Sequence, residues 1–140
     1  MSSPTQRTLK LLRSRGWQAQ VVERWNPHSK TRLDLFGFGD VIACIAHATF
    51  PTEGIVEYGG IKLVQSTTLA HVGARVAKII AEPKARVWLE SGGRIEVHGW
   101  RKLKVKRGGK AARWECAERT VTLADFKPSA PPAVEQAREA

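Results

Sequence analysis

The run DVIACIA, residues 40–46, constrains this chain more than any other stretch. It is short, continuous and rich in branched residues, which predicts a central strand covered on both faces. In PTQRTLKLLRSRG, Ser3 or Thr5 can cap a helix whose first turn tolerates Pro4. Leu9, Leu11 and Leu12 form its narrow apolar stripe and Gly16 ends it. In TLAHVGARVAKIIAEP, Val72, Val76, Ile79 and Ile80 recur at helical spacing, with Thr67 or Thr68 as cap and Pro83 just beyond the end. WQAQVVERW reads as an earlier strand, IKLVQST as the strand after DVIACIA, and NPHSKTR as a turn-rich connection.

The remainder reads as β-rich. ARVWLE, the turn at Ser91–Gly93 and RIEVHGW are expected to form a hairpin, and RGGK a second turn between KLKVK and RWECAERTVTL. HATFPTEGIVEYGG, residues 47–60, is expected as a loop. The predicted order is α-β-β-β-α-β-β-β without internal repeat, in one α/β or α+β domain over residues 1–126. KPSAPPAVEQAREA, residues 127–140, has no apolar period and reads as a disordered tail. No G-x-G-x-x-G joins a strand to a helix and no G-x-x-x-x-G-K-[ST] is present, which disfavours dinucleotide-binding and P-loop chemistry.

Charge indicates the partner class. With 23 Lys+Arg against 13 Asp+Glu the formal net charge is +10, which favours a polyanion. An acidic membrane surface is the competing partner, but no basic helix carries a broad aromatic face. No apolar run approaches the roughly 18 residues of a membrane span, and the N-terminus lacks a signal-peptide core. Cys44 and Cys116 are too few for a disulfide scaffold and are expected as buried, reduced thiols. The chain therefore reads as cytoplasmic.

A carboxylate in so basic a chain poses a chemical question. Asp40 opens its strand directly after the glycine-bearing turn of DLFGFGD. Alternation in IKLVQST puts Leu63, Gln65 and Thr67 on one face and Lys62, Val64 and Ser66 on the other. If the two strands share a sheet, Gln65 and Thr67 converge with Asp40 at one edge. A carboxylate, an amide oxygen and a backbone carbonyl are hard ligands for Mg²⁺ or Mn²⁺, with Asp40, Gln65 and Ser66 as the metal-site residues. The plainer readings are a turn aspartate, a hydrogen-bonded core amide and a helix-capping threonine. Asp34 reads as a loop or strand-start residue. His28, His71 and His98 have no spacing that marks a metal cluster and read as structural or surface residues.

FGFGDVIA, a short excursion, then LVQST and a basic helix resembles the core of the PD-(D/E)XK nuclease superfamily. The closest resemblance is to Holliday-junction resolvase-like proteins, particularly small phage-type members. It spans roughly Leu9 to Trp100 and includes the leading helix, GWQAQVVERWN, a basic turn with Arg32, and Asp40. It implies an α/β, restriction-endonuclease-like core, a central mixed sheet flanked by helices, with a basic β-hairpin extension. It also implies metal-dependent endonuclease activity on DNA, plausibly branched, by a homodimer. The family's second acidic residue and lysine map to Gln65 and Thr67, so the catalytic set becomes Asp40, Gln65 and Thr67. Lys78 on the following helix, sharing a polar face with Arg75, is the relocated-lysine candidate, and Glu23 the candidate for the missing carboxylate. Lys62 falls on the opposite strand face. The departures at Gln65 and Thr67 also fit a degenerate nuclease fold that binds nucleic acid without cutting. A basic structural or assembly protein is the third alternative.

The binding surface is legible without the family. GWRKLKVKRGGKAARW concentrates Arg101, Lys102, Lys104, Lys106, Arg107, Lys110 and Arg113, uninterrupted by an acid. Trp100 and Trp114 bracket it, and aromatic faces stack on unpaired bases. A charged edge hairpin that resists aggregation is the alternative. Arg24, His28, Lys30 and Arg32 form a second basic group just before Asp40.

Overall fold

A computed structural model describes residues 3–48 and 58–126. The anticipated tail and most of the 47–60 loop lie outside the described residues. The chain begins with helix α1, Pro4–Ser14, where the Ser3 hydroxyl accepts from the Gln6 N–H at 3.2 Å. Gly16, at φ 90°, turns the chain into strand β1, Gln18–Val21. The expected long first strand stops there. Its second part becomes β2, Arg24–Asn26, which pairs only with β3, Thr31–Leu33, as a separate hairpin. Strands β4, Val41–Ala48, and β5, Tyr58–Thr68, follow. Tyr58–Gly60, expected in the loop, thus belong to β5.

A 3-10 turn at Leu69–His71 leads into α2, Val72–Ile80, and α3, Pro83–Glu90. Here ARVWLE is helix, not hairpin strand. Pro83 lies just beyond the end of α2, as expected, and also starts α3, where Glu82 accepts from the Lys84 N–H. Ala85 is buried, and Trp88 and Leu89 pack on the same core at helical spacing. Six residues are too few for alternation to separate a strand from one helical turn and a half.

Strands β6, Arg94–Lys104, and β7, Ala112–Val121, complete a five-stranded sheet of order β1-β4-β5-β6-β7. The β5–β6 pair is parallel and the other three pairs are antiparallel. Parallel neighbours need a crossover, which α2 and α3 supply. The chain is thus α/β with a mixed sheet and helices on both faces. Under α1 lie Leu9, Leu12, Ala19, Val41, Ala43 and Val64. Against α2 and α3 lie Phe38, Leu63, Ile79, Ala85, Ile95, Val97 and Val121. Val64 and Leu63 point to opposite cores, as a doubly covered strand requires. Among the described residues no helix is long and apolar enough to cross a membrane.

Register gathers the chemistry at one end of the sheet. Val41 pairs with both Val21 and Val64, so the ends of β1 and β5 meet the start of β4. β6 runs parallel to β5 and beyond it to Lys104. Asp40, Gln65, the β2–β3 hairpin and the β6–β7 tip therefore share that end.

Candidate metal site and nucleic-acid surface

The segment from Asp34 to Asp40 is built to present one carboxylate. Leu35 bridges Gly39, and Phe36 and Gly37 turn at φ 54° and 82°. Phe38 fills the core with no exposure. Gly39 has no room for a Cβ because the Leu63 side chain occupies that space. Asp40 is then delivered at 2% exposure beside Gln65 at 4%.

The Ser66 backbone N–H donates to Asp40 Oδ2 at 3.0 Å and the Gln65 Nε2 amide donates to the same oxygen at 3.2 Å. Asp40 Oδ1 and Gln65 Oε1 are buried and have no hydrogen-bond partner. Buried acceptors left unsatisfied each cost about 1–3 kcal/mol, so these two oxygens call for a hydrogen-bond donor or a cation. Burial pushes Asp40 up to about 7, against the Ser66 N–H; the charges of Asp34 and Glu23 add to the rise and Arg75 opposes it.

The other predicted site residues divide. Thr67 is buried two residues beyond Gln65, on the same strand face. The Ser66 side chain leaves the site: it points under α1 and donates to Thr8 Oγ1 at 2.7 Å, so only its backbone N–H serves Asp40. Lys78 sits 3.6 Å from Asp34, and Glu23 pairs with Arg32 at 3.1 Å; neither bonds Asp40 directly. Lys62 lies on the opposite face, as alternation predicted.

On that opposite face is a polar cluster the motif reading missed. Lys62 Nζ donates to both oxygens of Glu96 at 3.0 Å, beneath the Trp17 ring. Thr8 Oγ1 accepts from Ser66 and, at 3.0 Å, from Trp100 Nε1. Its own hydrogen is left for His98 Nδ1 at 3.3 Å, which assigns the ring hydrogen to Nε2, 2.9 Å from Glu96 Oε1. Burial alone would raise Glu96, yet the His98 hydrogen bond and the Lys62 charge outweigh it and hold the carboxyl at about 2. Ligand atoms of Glu96, His98 and Glu118 lie within 4.8 Å of one another, so this Glu-His-Glu group could hold a metal ion. Both carboxylates are already matched by cations, Glu96 by Lys62 and Glu118 by Arg15 at 2.6 Å. His98 is therefore neither isolated nor at the surface. The E-x-H alternation within RIEVHGW was the available signal.

The basic surface is partly as expected. Lys102, Lys104, Lys106, Arg107 and Lys110 are exposed, and Lys102, Lys104 and Lys110 line a depression of about 490 Å³ with Gly108 and Gly109. Arg101 is tied to Glu115 at 2.8 Å, and Arg113 lies 3.9 Å from the same carboxylate. Trp100 is no stacking platform, being 8% exposed with its Nε1 bonded to Thr8. Arg7 covers the Trp114 ring at 3.4 Å. Arg24, His28, Lys30 and Arg32 are all exposed on the β2–β3 hairpin. Of the cysteines, Cys44 is exposed, contrary to expectation; Cys116 is half-buried, and burial and Glu118 push its thiol up to about 12.

Comparisons with protein-family models, with curated proteins and with solved structures return no match to this chain.

Proposed function

We propose that this chain is a metal-dependent endonuclease of DNA on a restriction-endonuclease-like core. The observation that carries the reading is that Asp40 and Gln65, buried and joined by the Gln65 Nε2–Asp40 Oδ2 hydrogen bond, each keep one oxygen without a partner, Asp40 Oδ1 and Gln65 Oε1. One carboxylate and one amide oxygen are the hard donors that Mg²⁺ or Mn²⁺ takes, with water completing the sphere. Asp40 and Gln65 would hold the ion, with the Ser66 N–H fixing the carboxylate. When bound there, such an ion supplies an acidified water and charge neutralisation at a phosphodiester. Thr67 and the Lys78–Asp34 pair flank the site, and Arg75 adds positive potential. The mixed sheet with helices on both faces is compatible with the general architecture that the PD-(D/E)XK resemblance implies. The homodimer belongs to the same proposal.

A second reading has its own observation. Only one carboxylate bonds into the site, and the nearest relocated lysine is engaged by Asp34. That arrangement favours a nuclease-fold protein that binds nucleic acid without cutting. One experiment separates the two. Wild type and Asp40→Ala are incubated with four-way-junction, flap and linear DNA in Mg²⁺, Mn²⁺ or EDTA. The nuclease reading expects metal-dependent cutting that the variant loses. Chelator-indifferent binding without cutting, unchanged in the variant, establishes the second reading.

A further inference from the structure

The chain has five tryptophans, and four of them are spoken for. Trp17 lies under Lys62 and Arg94, Trp88 packs on Phe36 and donates to Arg94, Trp100 bonds Thr8, and Trp114 is covered by Arg7. Trp25 alone has no hydrogen bond and no aromatic or cation contact among the described residues, and at 57% exposure it is the most exposed of them. It sits on β2, directly opposite Arg32 of β3.

A three-residue hairpin detached from the main sheet has little reason to keep a tryptophan in water. This one is nevertheless held in shape. Asn26 Oδ1 accepts from the His28 and Ser29 N–H groups, Ser29 and Thr31 hydroxyls meet at 2.7 Å, and Lys30 takes φ 55° to close the turn. Basic residues lie along both strands: Arg32, which also pairs with Glu23, is the cross-strand neighbour of Trp25, Arg24 that of Leu33, and Lys30 is exposed at the tip. The hairpin leaves the sheet at Val22, whose N–H donates to the Asp40 carbonyl at 2.9 Å, and returns through Asp34 to Asp40. It is thereby anchored beside the candidate metal site.

We infer that the β2–β3 hairpin is a recognition wedge: Trp25 stacks on an unpaired nucleobase while Arg24, Lys30 and Arg32 hold the flanking phosphates. An exposed indole on a basic hairpin suits a base on a polyanionic strand, since stacking is tolerant of base identity and cations meet the backbone. The inference rests on the nucleic-acid reading above and narrows its substrate to DNA with unstacked bases, as at a branch, bulge or gap.

The test measures affinity in EDTA for a perfect duplex and for the same duplex bearing a 2-aminopurine bulge. Wild type, Trp25→Ala and Trp25→Phe are compared. The expected result is tighter binding to the bulge by wild type, with a preference that falls roughly tenfold or more in Trp25→Ala and is largely kept in Trp25→Phe. Duplex affinity should be unchanged, and 2-aminopurine emission should be quenched by wild type but not by Trp25→Ala. A bulge preference that survives Trp25→Ala overturns the wedge and leaves the nuclease reading standing. So does Trp25-dependent dimerisation, seen by sedimentation, without base selectivity. Failure of wild type to bind either DNA overturns both.

Discussion

Burial holds Asp40 at about 7, so between roughly pH 4 and 7 the folded chain keeps a proton that the unfolded chain has released. Stability from this group is fully present below about pH 4 and is lost as pH rises through 7. The loss is of order 4 kcal/mol at one proton per pH step. In EDTA, Asp40→Asn should flatten that descent and melt higher than wild type at pH 8. Added Mn²⁺ should raise the wild-type melting temperature at pH 8 and leave the variant unmoved; an identical response from both would remove Asp40 from the metal site. Glu96 has the opposite sign. Held at about 2, it stabilises the fold above its ordinary 4.5, and that contribution goes as pH falls through 2. Its dependence on Lys62 is testable in urea. Lys62→Met strands a buried carboxylate and should cost about 3–5 kcal/mol, whereas Lys62→Met with Glu96→Leu should recover most of it. If the double variant were no better than the single, the pair would not be the unit.

At the scale of elements, the tightest constraint is the approach of the Phe38–Asp40 segment to β5. Leu63 occupies the space of a Gly39 Cβ, so Gly39→Ala must displace either the strand or the leucine. The expected cost is about 1–3 kcal/mol in a denaturant melt, together with weakened Mn²⁺ binding, because the same shift moves Asp40 off Gln65. An unchanged melt would show that the segment is slack. This segment was legible in the sequence: glycines around Phe38, then an acid, then a branched run, allow few other structures. So was the alternation of β5, which separates Gln65 from Lys62. ARVWLE was not, because its helical identity depends on a cap at Glu82 and on the core that Ala85 meets. The β2–β3 hairpin was hidden too, since WQAQVVERW carries no glycine or proline where its pairing partner changes. The Thr8–His98–Glu96 cluster joins residues about ninety positions apart in chain, and no local pattern records that contact.

For the whole molecule, the placement of charge matters more than its amount. The sheet end that holds Asp40 carries one basic hairpin on the β1 side and another at the β6–β7 tip. Two hairpins astride a site can bind one strand in different ways. The β6–β7 tip offers lysines around a glycine-lined depression and no free aromatic ring, which suits phosphate contact without base reading. The β2–β3 hairpin offers the ring. Their salt dependences should therefore differ. Each phosphate neutralised adds about −0.9 to the slope of log affinity against log salt on duplex DNA. Replacing Lys102, Lys104 and Lys110 together by alanine should reduce that slope by nearly three such steps, for duplex and bulged DNA alike. Trp25→Ala should leave the slope as it was and lower only the bulge affinity, by the same factor at low and high salt. Affinity measured across a salt series for these two variants resolves the roles. If the lysine variant instead loses bulge preference while the slope holds, the β6–β7 tip reads the substrate and the division of labour between the hairpins is reversed.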